Sequence, residues 1–270
     1  MMTNCKYIFG ICLLLTTLFS CRKVIYPDFD DDGTRKTVIE ASVSDLKDTA
    51  IVFISETLAI YEPNSYSGKD GAVVSIARDD STPVLLTNLG NGRFGGHLTA
   101  STGSSYTLHI RTETEQFSAR SVMPAKIRMD SLFITRRTIL GRNLRIPTVV
   151  FRDPPAPGNY YRFILWVDGF ENTTIFIEND RLFNGNQMTM ELLDVFTDEG
   201  TPTFVDKYDR VTVEMQCITK ETYDYLYQLK GNALGDGGTA NPGNPGSNIT
   251  GGALGYFSVH TSERKELFAD

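Results

Sequence analysis

From Thr37 onward the apolar residues recur with a period of two, and this alternation restricts the chain to β architectures. Ile39, Ala41 and Val43 share one side, with Glu40 and Ser42 opposite, the pattern of a half-buried strand. Tyr106, Leu108 and Ile110 alternate in the same way with Thr107, His109 and Arg111. Further strands are expected at 51–57, 72–78, 84–87, 93–98 and 117–122. Turn chemistry marks the breaks. Asp79-Asp80-Ser81 separates two runs and Gly90-Asn91-Gly92 two more, residue types that accept left-handed backbone or bond their own main chain. About seven short strands is the rhythm of an immunoglobulin-like β-sandwich, assigned here to residues 37–123.

Pro124 marks a boundary, and residues 124–270 form a second β-rich domain. Its strands are expected at 131–140, 147–152, 160–167, 173–178 and 210–218, with a last one at 256–261. The 160–167 run is apolar on both faces and holds the only tryptophan, Trp166, which predicts a central strand. Asp153-Pro154-Pro155-Ala156-Pro157-Gly158-Asn159 predicts a stiff loop, because proline fixes φ and removes a donor. Val211, Val213, Met215 and Cys217 alternate with Thr212, Glu214 and Gln216, so Cys217 reads as a small core residue.

One helix is predicted, over 220–234. Thr219 suits its N-cap and Glu221 its first turn, where a carboxylate meets the positive end of the helix dipole. Tyr223, Leu226, Leu229 and Ala233 recur at helical spacing, and Gly235 follows as a stop. Tyr223, Tyr225 and Tyr227 fall on different helix faces, so only part of the set can serve one surface. The loop at 235–255 is rich in Gly, Pro and Asn and long for a plain connection. Its glycines lack the Lys-Ser/Thr ending of a phosphate-binding loop, which excludes nucleotide binding of that kind.

The first twenty residues predict an address rather than a fold. Lys6 precedes an apolar run, Tyr7-Ile8-Phe9-Gly10-Ile11-Cys12-Leu13-Leu14-Leu15. The run is too short to span a bilayer and suits a secretory signal. Leu18-Phe19-Ser20-Cys21 looks like a bacterial lipobox, which makes Cys21 the lipidation site and the new N-terminus. Several acyl chains on one cysteine anchor firmly where a single chain binds marginally. Cys5 and Cys12 leave with the signal, so Cys217 remains alone and no internal disulfide is expected. Residues 21–36 read as an acidic tether. Asp28-Phe29-Asp30-Asp31-Asp32-Gly33 matches half of a calcium loop, but Ile39 stands where its closing Glu belongs. Arg22 follows the lipid cysteine where an Asp would favour inner-membrane retention, so the outer membrane is expected.

The composition excludes several classes. Net charge is −7, or −8 once Lys6 is removed, and no basic block occurs; nucleic-acid phosphates are an unsuited partner. His97, His109 and His260 form no zinc-ligand spacing. No Gly-x-Ser-x-Gly elbow occurs. Paired carboxylates such as Glu178 and Asp180 occur, and glycoside chemistry needs no local motif, but two acids on a β surface are usually just solvated. No catalytic residue, metal or cofactor is expected.

A set of motifs then stands together. The lipobox cysteine is followed by Val38-Ile39-Glu40-Ala41, by Gly71-Ala72-Val73-Val74-Ser75-Ile76 and by Gly92-Arg93-Phe94. Gly103-Ser104-Ser105-Tyr106-Thr107-Leu108-His109-Ile110 comes next. The end holds Asn241-Pro242, Asn248-Ile249 and Gly251-Gly252-Ala253-Leu254-Gly255-Tyr256-Phe257. This resembles the Bacteroidota lipoproteins classed as domain of unknown function 4249, over nearly all of the mature chain. The departures are Phe19 and the basic Arg22-Lys23. The resemblance implies an outer-membrane lipoprotein acting as a non-catalytic partner of a TonB-dependent receptor in uptake, on either face of the membrane. The alternatives are a structural surface protein or adhesin and, last in order, a hydrolase. Contacts with a ligand or partner are expected from the second domain, at Tyr223, Tyr227, Asn241, Asn248 and Tyr256.

Overall fold

The computed structural model describes residues 35–58, 62, 65–139, 141–193, 205–234 and 243–270. Cys21, the signal segment, the tether up to residue 34 and Asn241 lie outside the described residues. In chain order the first strands are β1 (Thr37–Ser44), β2 (Thr49–Glu56), β3 (Val73–Arg78), β4 (Val84–Leu85) and β5 (Thr87–Gly90). β6 (Arg93–His97), β7 (Ser105–Arg111) and β8 (Gln116–Val122) complete the part before Pro124. A long hairpin of β9 (Met129–Ile139) and β10 (Arg142–Arg152) follows. Then come β11 (Tyr160–Val167), β12 (Phe170–Glu171) and β13 (Phe176–Asn179), a 3-10 turn at Asp180–Leu182, and β14 (Gln187–Glu191). The last elements are β15 (Arg210–Ile218), helix α1 (Lys220–Leu234) and β16 (Leu254–Phe268). The architecture is mostly β, with one α-helix among the described residues.

Among the described residues the strands form three sheets. The largest runs β12-β11-β15-β16-β1-β2-β6-β5, with β13 also on β11. A four-stranded sheet, β4-β3-β7-β8, and a three-stranded one, β14-β10-β9, complete the set. Ile39, Val43, Ile54 and Phe94 of the large sheet share a core with Ile76, Leu108 and Ile110 of the four-stranded one. Phe163, Leu165, Val213 and Met215 share a second core with Val149, Phe151 and Met188. Burying each such side chain is worth about 1.5–3 kcal/mol, and a one-residue slip would turn a strand's whole set outward. The alternation therefore fixes the register. The predicted turns hold their backbone as expected: Asp79 and Asp80 lie at φ 48° and 58°, and Gly90, Asn91 and Gly92 at 87°, 50° and 70°.

The two cores share one strand. β16 runs parallel to β1 from Val38↔Leu254 to Ser44↔His260. It then continues antiparallel to β15 from Cys217↔Thr261 to Arg210↔Phe268. Arg35–Asp270 forms a single compact unit, so the last strand crosses the division expected at 123/124. Gly255 makes the parallel approach possible. Its φ is 99°, and a Cβ there would sit 2.0 Å from the carbonyl oxygen of Ile39. Just before it, Ile249 and Ala253 enter the first core. Thr250 exchanges backbone hydrogen bonds with Ser118 of β8. The end of the glycine-rich loop thus seals the first core, although it follows the second in sequence.

Three expectations need correction. The last strand spans fifteen residues rather than six. Ser262, Arg264 and Glu266, beyond the expected end of that strand, lie opposite Gln216, Glu214 and Thr212 on a polar outer face. β10 starts five residues before the expected 147, because Arg142, Asn143 and Arg145 hide its alternation. Trp166 lies on a strand near the edge rather than in the centre, with β15 on one side and only the short β12 and β13 on the other. The β11 outer face gains its apolar character from what packs on it, namely α1 beside Tyr160 and the Arg264 guanidinium 4.7 Å from the Trp166 ring.

Candidate functional site

Helix α1 occupies the outer face of the large sheet, opposite the second core. Leu226 and Tyr225 are buried against Ile177 of β13 and Ile218 of β15. Lys220 and Asp224 pair one turn apart at 2.5 Å, a contact worth about 0.2–0.5 kcal/mol at most on an exposed helix surface. Most of the helix's stability therefore comes from the apolar face it lays on the sheet. Thr222 N lies 3.5 Å from the Thr219 hydroxyl, so the predicted cap is in place with a long bond.

The placement of the helix assembles a ladder of tyrosines. The Tyr223 ring lies 5.1 Å from Tyr160 of β11 and 6.0 Å from Tyr227, which stacks on it at 21°. The side-chain amide of Asn179 donates to the Tyr223 hydroxyl at 2.8 Å. Tyr227 ends the ladder 63% exposed. On the other side of the helix Tyr225 packs on Tyr256 at 4.9 Å, and Arg162 donates to the Tyr256 hydroxyl at 3.5 Å. Burial pushes the Tyr223 phenol above its ordinary value and Tyr225 up to about 12. Both rings therefore stay neutral across physiological pH, with their hydroxyls free to bond. Tyrosine offers large amphipathic contact area at low entropic cost, so the exposed end of the ladder suits a flat apolar or sugar face.

Beside the helix the outer face carries a buried polar band. Glu214 accepts from Arg264 at 2.6 Å and from Gln216 at 2.8 Å. Burial pulls the Glu214 carboxyl up, but the Gln216 and Arg264 bonds and the guanidinium charge outweigh it, and it titrates below its ordinary value. His260 Nδ1 lies 3.0 Å from the Ser258 hydroxyl. Burial lowers its pKa from 6.5 to about 4, helped by Arg162 and opposed by Glu214 and Asp45. Ser258 and His260 are both buried, which leaves this serine–histidine pair closed to a substrate.

The sequence-derived residues divide. Tyr223, Tyr227 and Tyr256 come together around α1, whereas the side-chain amide of Asn248 is turned to the backbone of Phe257. Its amide donates to Phe257 O at 2.9 Å and accepts from Phe257 N at 2.8 Å, so it braces the backbone. The loop does reach the helix, where Gly246 N donates to the Gln228 side chain at 2.9 Å. The carboxylates of Glu178 and Asp180 each accept from nearby backbone. Asp180 is buried and accepts from the backbone of Gly158 and Asn159 at 2.7 and 2.9 Å. Cys217 is buried in the second core and its thiol is pushed up by that burial. His97 and His109 are exposed. Sequence pattern missed Tyr160 and Asn179, which join the ladder only through the pairing of β11 with β13.

Among solved structures, the chain is similar to a cytokine receptor complex at 10% identity and TM-score 0.27, covering 84% of this chain and 94% of that one. A two-domain fibronectin type III segment of chicken tenascin matches at 10% identity and TM-score 0.21, covering 69% and 92%. A bacterial ice-binding adhesin matches at 9% identity and TM-score 0.18, covering 88% and 65%. No curated protein matches the chain. The family described as "Domain of unknown function (DUF4249)" matches over residues 22–266. With nearly the whole chain from Arg22 onward inside that match, this protein belongs to the DUF4249 family.

Proposed function

We propose that the protein is an outer-membrane lipoprotein, acylated on Cys21, that acts as a non-catalytic binding partner of a TonB-dependent receptor in uptake. The lipobox and the apolar run before it support the anchor. The observation that carries the binding role is the Tyr160–Tyr223–Tyr227 ladder, which grades from half-buried to open on a helix fixed to a rigid sheet. Tyrosine is enriched among the residues that dominate interface energies. A pre-organised aromatic surface also binds without the cost of ordering a loop.

The test is a crosslinked pull-down of the native lipoprotein from outer membranes, read by mass spectrometry. The expected result is stoichiometric recovery of a TonB-dependent receptor. A paired Tyr223→Ala and Tyr227→Ala variant should lower that recovery about tenfold or more, the range of a lost hot spot. Recovery of the lipoprotein alone overturns the receptor role and leaves a free-standing surface protein or adhesin. Cys21→Ala should move the chain to the soluble fraction; continued membrane association overturns the anchor.

A further inference from the structure

The distal half of the β9–β10 hairpin has an arrangement that costs stability on its own. Arg136 and Arg145 are direct cross-strand partners, and like charges placed so are destabilising. They lie on the hairpin face that carries Leu132, Ile134 and Val149 into the second core. Past the end of that core the same face turns cationic. The next rung is Thr138 with Asn143, joined by a 2.7 Å hydrogen bond from the threonine hydroxyl to the amide oxygen. Arg136, Arg145, Thr138, Asn143, Arg137 and Lys207 line a cavity of about 450 Å³, within the size range of small-ligand sites.

Lys207 is held there by a strained, heavily bonded segment. Tyr208 has φ 76°, a left-handed conformation unusual for an aromatic residue, of a kind that persists where the surroundings over-determine it. Tyr208 N donates to Ala269 O at 2.6 Å and Ala269 N to Asp209 O at 2.9 Å. Asp206 N donates to the Asp209 carboxylate at 2.7 Å. Val205 forms a bridge to Arg145. The Lys207 ammonium sits 4.5 Å from the Tyr208 ring centroid.

Charge in the cavity is only partly balanced. Glu191 holds Arg137 through contacts of 2.6–3.0 Å. Arg136 meets the Asp270 side-chain carboxylate at 3.4 Å, and Arg145 donates to the main-chain oxygen of the same residue at 2.9 Å. Among the described residues neither Arg145 nor Lys207 pairs with a side-chain carboxylate. A cationic cavity thus stands in a chain whose net charge is −7.

We propose that this cavity binds a phosphomonoester carried on a hydroxylated group, the chemistry of a sugar phosphate or of a phosphorylated lipid headgroup. Arg136, Arg145 and Lys207 take the phosphate oxygens, since guanidinium suits phosphate geometry. The Asn143 amide donor and the Thr138 hydroxyl oxygen face the polyol. The site is separate from the tyrosine ladder and stands whether or not the receptor role holds.

The test is calorimetric titration of the full chain in dodecyl maltoside with glucose 1-phosphate and with inorganic phosphate. Mixed micelles containing phosphatidic acid, against phosphatidylcholine, form the lipid arm. Binding of glucose 1-phosphate is expected to weaken with added salt and to fall about tenfold or more in Lys207→Gln and in Arg136→Gln, each a lost charge-assisted contact. Lys207→Gln touches no core residue, so it reads the site even where an arginine variant unfolds. Preference for glucose 1-phosphate without preference for phosphatidic acid assigns a soluble ligand, and the reverse assigns a lipid headgroup. Absence of heat with every probe, or equal affinity in Lys207→Gln and the native chain, overturns the site.

Discussion

Asn248 holds Phe257 by both of its backbone groups, at 2.9 and 2.8 Å. A side-chain amide thus takes the place of a neighbouring strand at the point where β16 starts along β1. The Phe257 ring is fully buried in the first core, so the brace fixes a core residue rather than a surface. Asn248→Asp keeps the acceptor and removes the donor. It should cost about 1–3 kcal/mol, the range for a buried polar group left unpaired. The shift in the urea midpoint measures it, and an unchanged midpoint would show that the brace contributes nothing.

Gly255→Ala should be more severe. The new methyl would meet the Ile39 carbonyl within bond-like distance, at a positive φ. Strain and loss of the β1–β16 pairing act together, and a cost of about 3 kcal/mol or more is expected. Gly252→Ala is the control. Its φ is also positive, at 88°, but a Cβ there would meet open space, so only the smaller conformational cost applies. Equal losses in the two variants would reject the close approach as the cause.

Removing Arg264 should expose the cost of the buried carboxylate. The Glu214 side chain is 7% exposed and the Arg264 side chain 45%. Arg264→Met leaves the Glu214 charge unpaired, and breaking such a pair costs about 3–5 kcal/mol. Adding Glu214→Gln should recover much of that, because no buried charge then remains. A double variant no more stable than Arg264→Met would mean that stacking on Trp166, not charge, sets the loss.

His260 makes stability depend on pH. Its folded pKa of about 4 lies below the unfolded 6.5, so the unfolded state binds the proton first. Its cost is absent above pH 6.5, grows as pH falls to about 4, and then levels off. The span amounts to about 3 kcal/mol. Glu214 adds to the fall at still lower pH, as its depressed carboxyl is protonated. Urea unfolding at a series of pH values should show the slope between 4 and 6.5, and His260→Gln should flatten it. A slope unchanged in that variant would place the titration elsewhere.

Much of this fold was legible because burial on one face imposes a period of two. The β15 and β11 runs appear in the sequence with the bounds they have in the structure, and α1 likewise. Three things were not legible. The parallel partnership of β1 and β16 joins residues more than two hundred positions apart, and no local pattern encodes a partner. β14 is only five residues long, and Met188 is its one fully buried side chain, too little for a period to show. The start of β10 is polar because its inner face leaves the core and meets the cavity. Four arginines between 136 and 145 were the available signal. They look like a solvated surface until register places two of them face to face. The tyrosine ladder was half legible: the helix supplied Tyr223 and Tyr227, while Tyr160 needed the sheet.

The parallel run of β1 beside β16 has a mechanical consequence. A pull on the chain ahead of Thr37 draws β1 along its own axis, while β16 is held at its far end by β15. The hydrogen bonds between them then share the load in shear instead of parting one at a time. Tension from the N-terminal side would be carried through a single continuous strand into both cores, so the molecule would resist extension as one body.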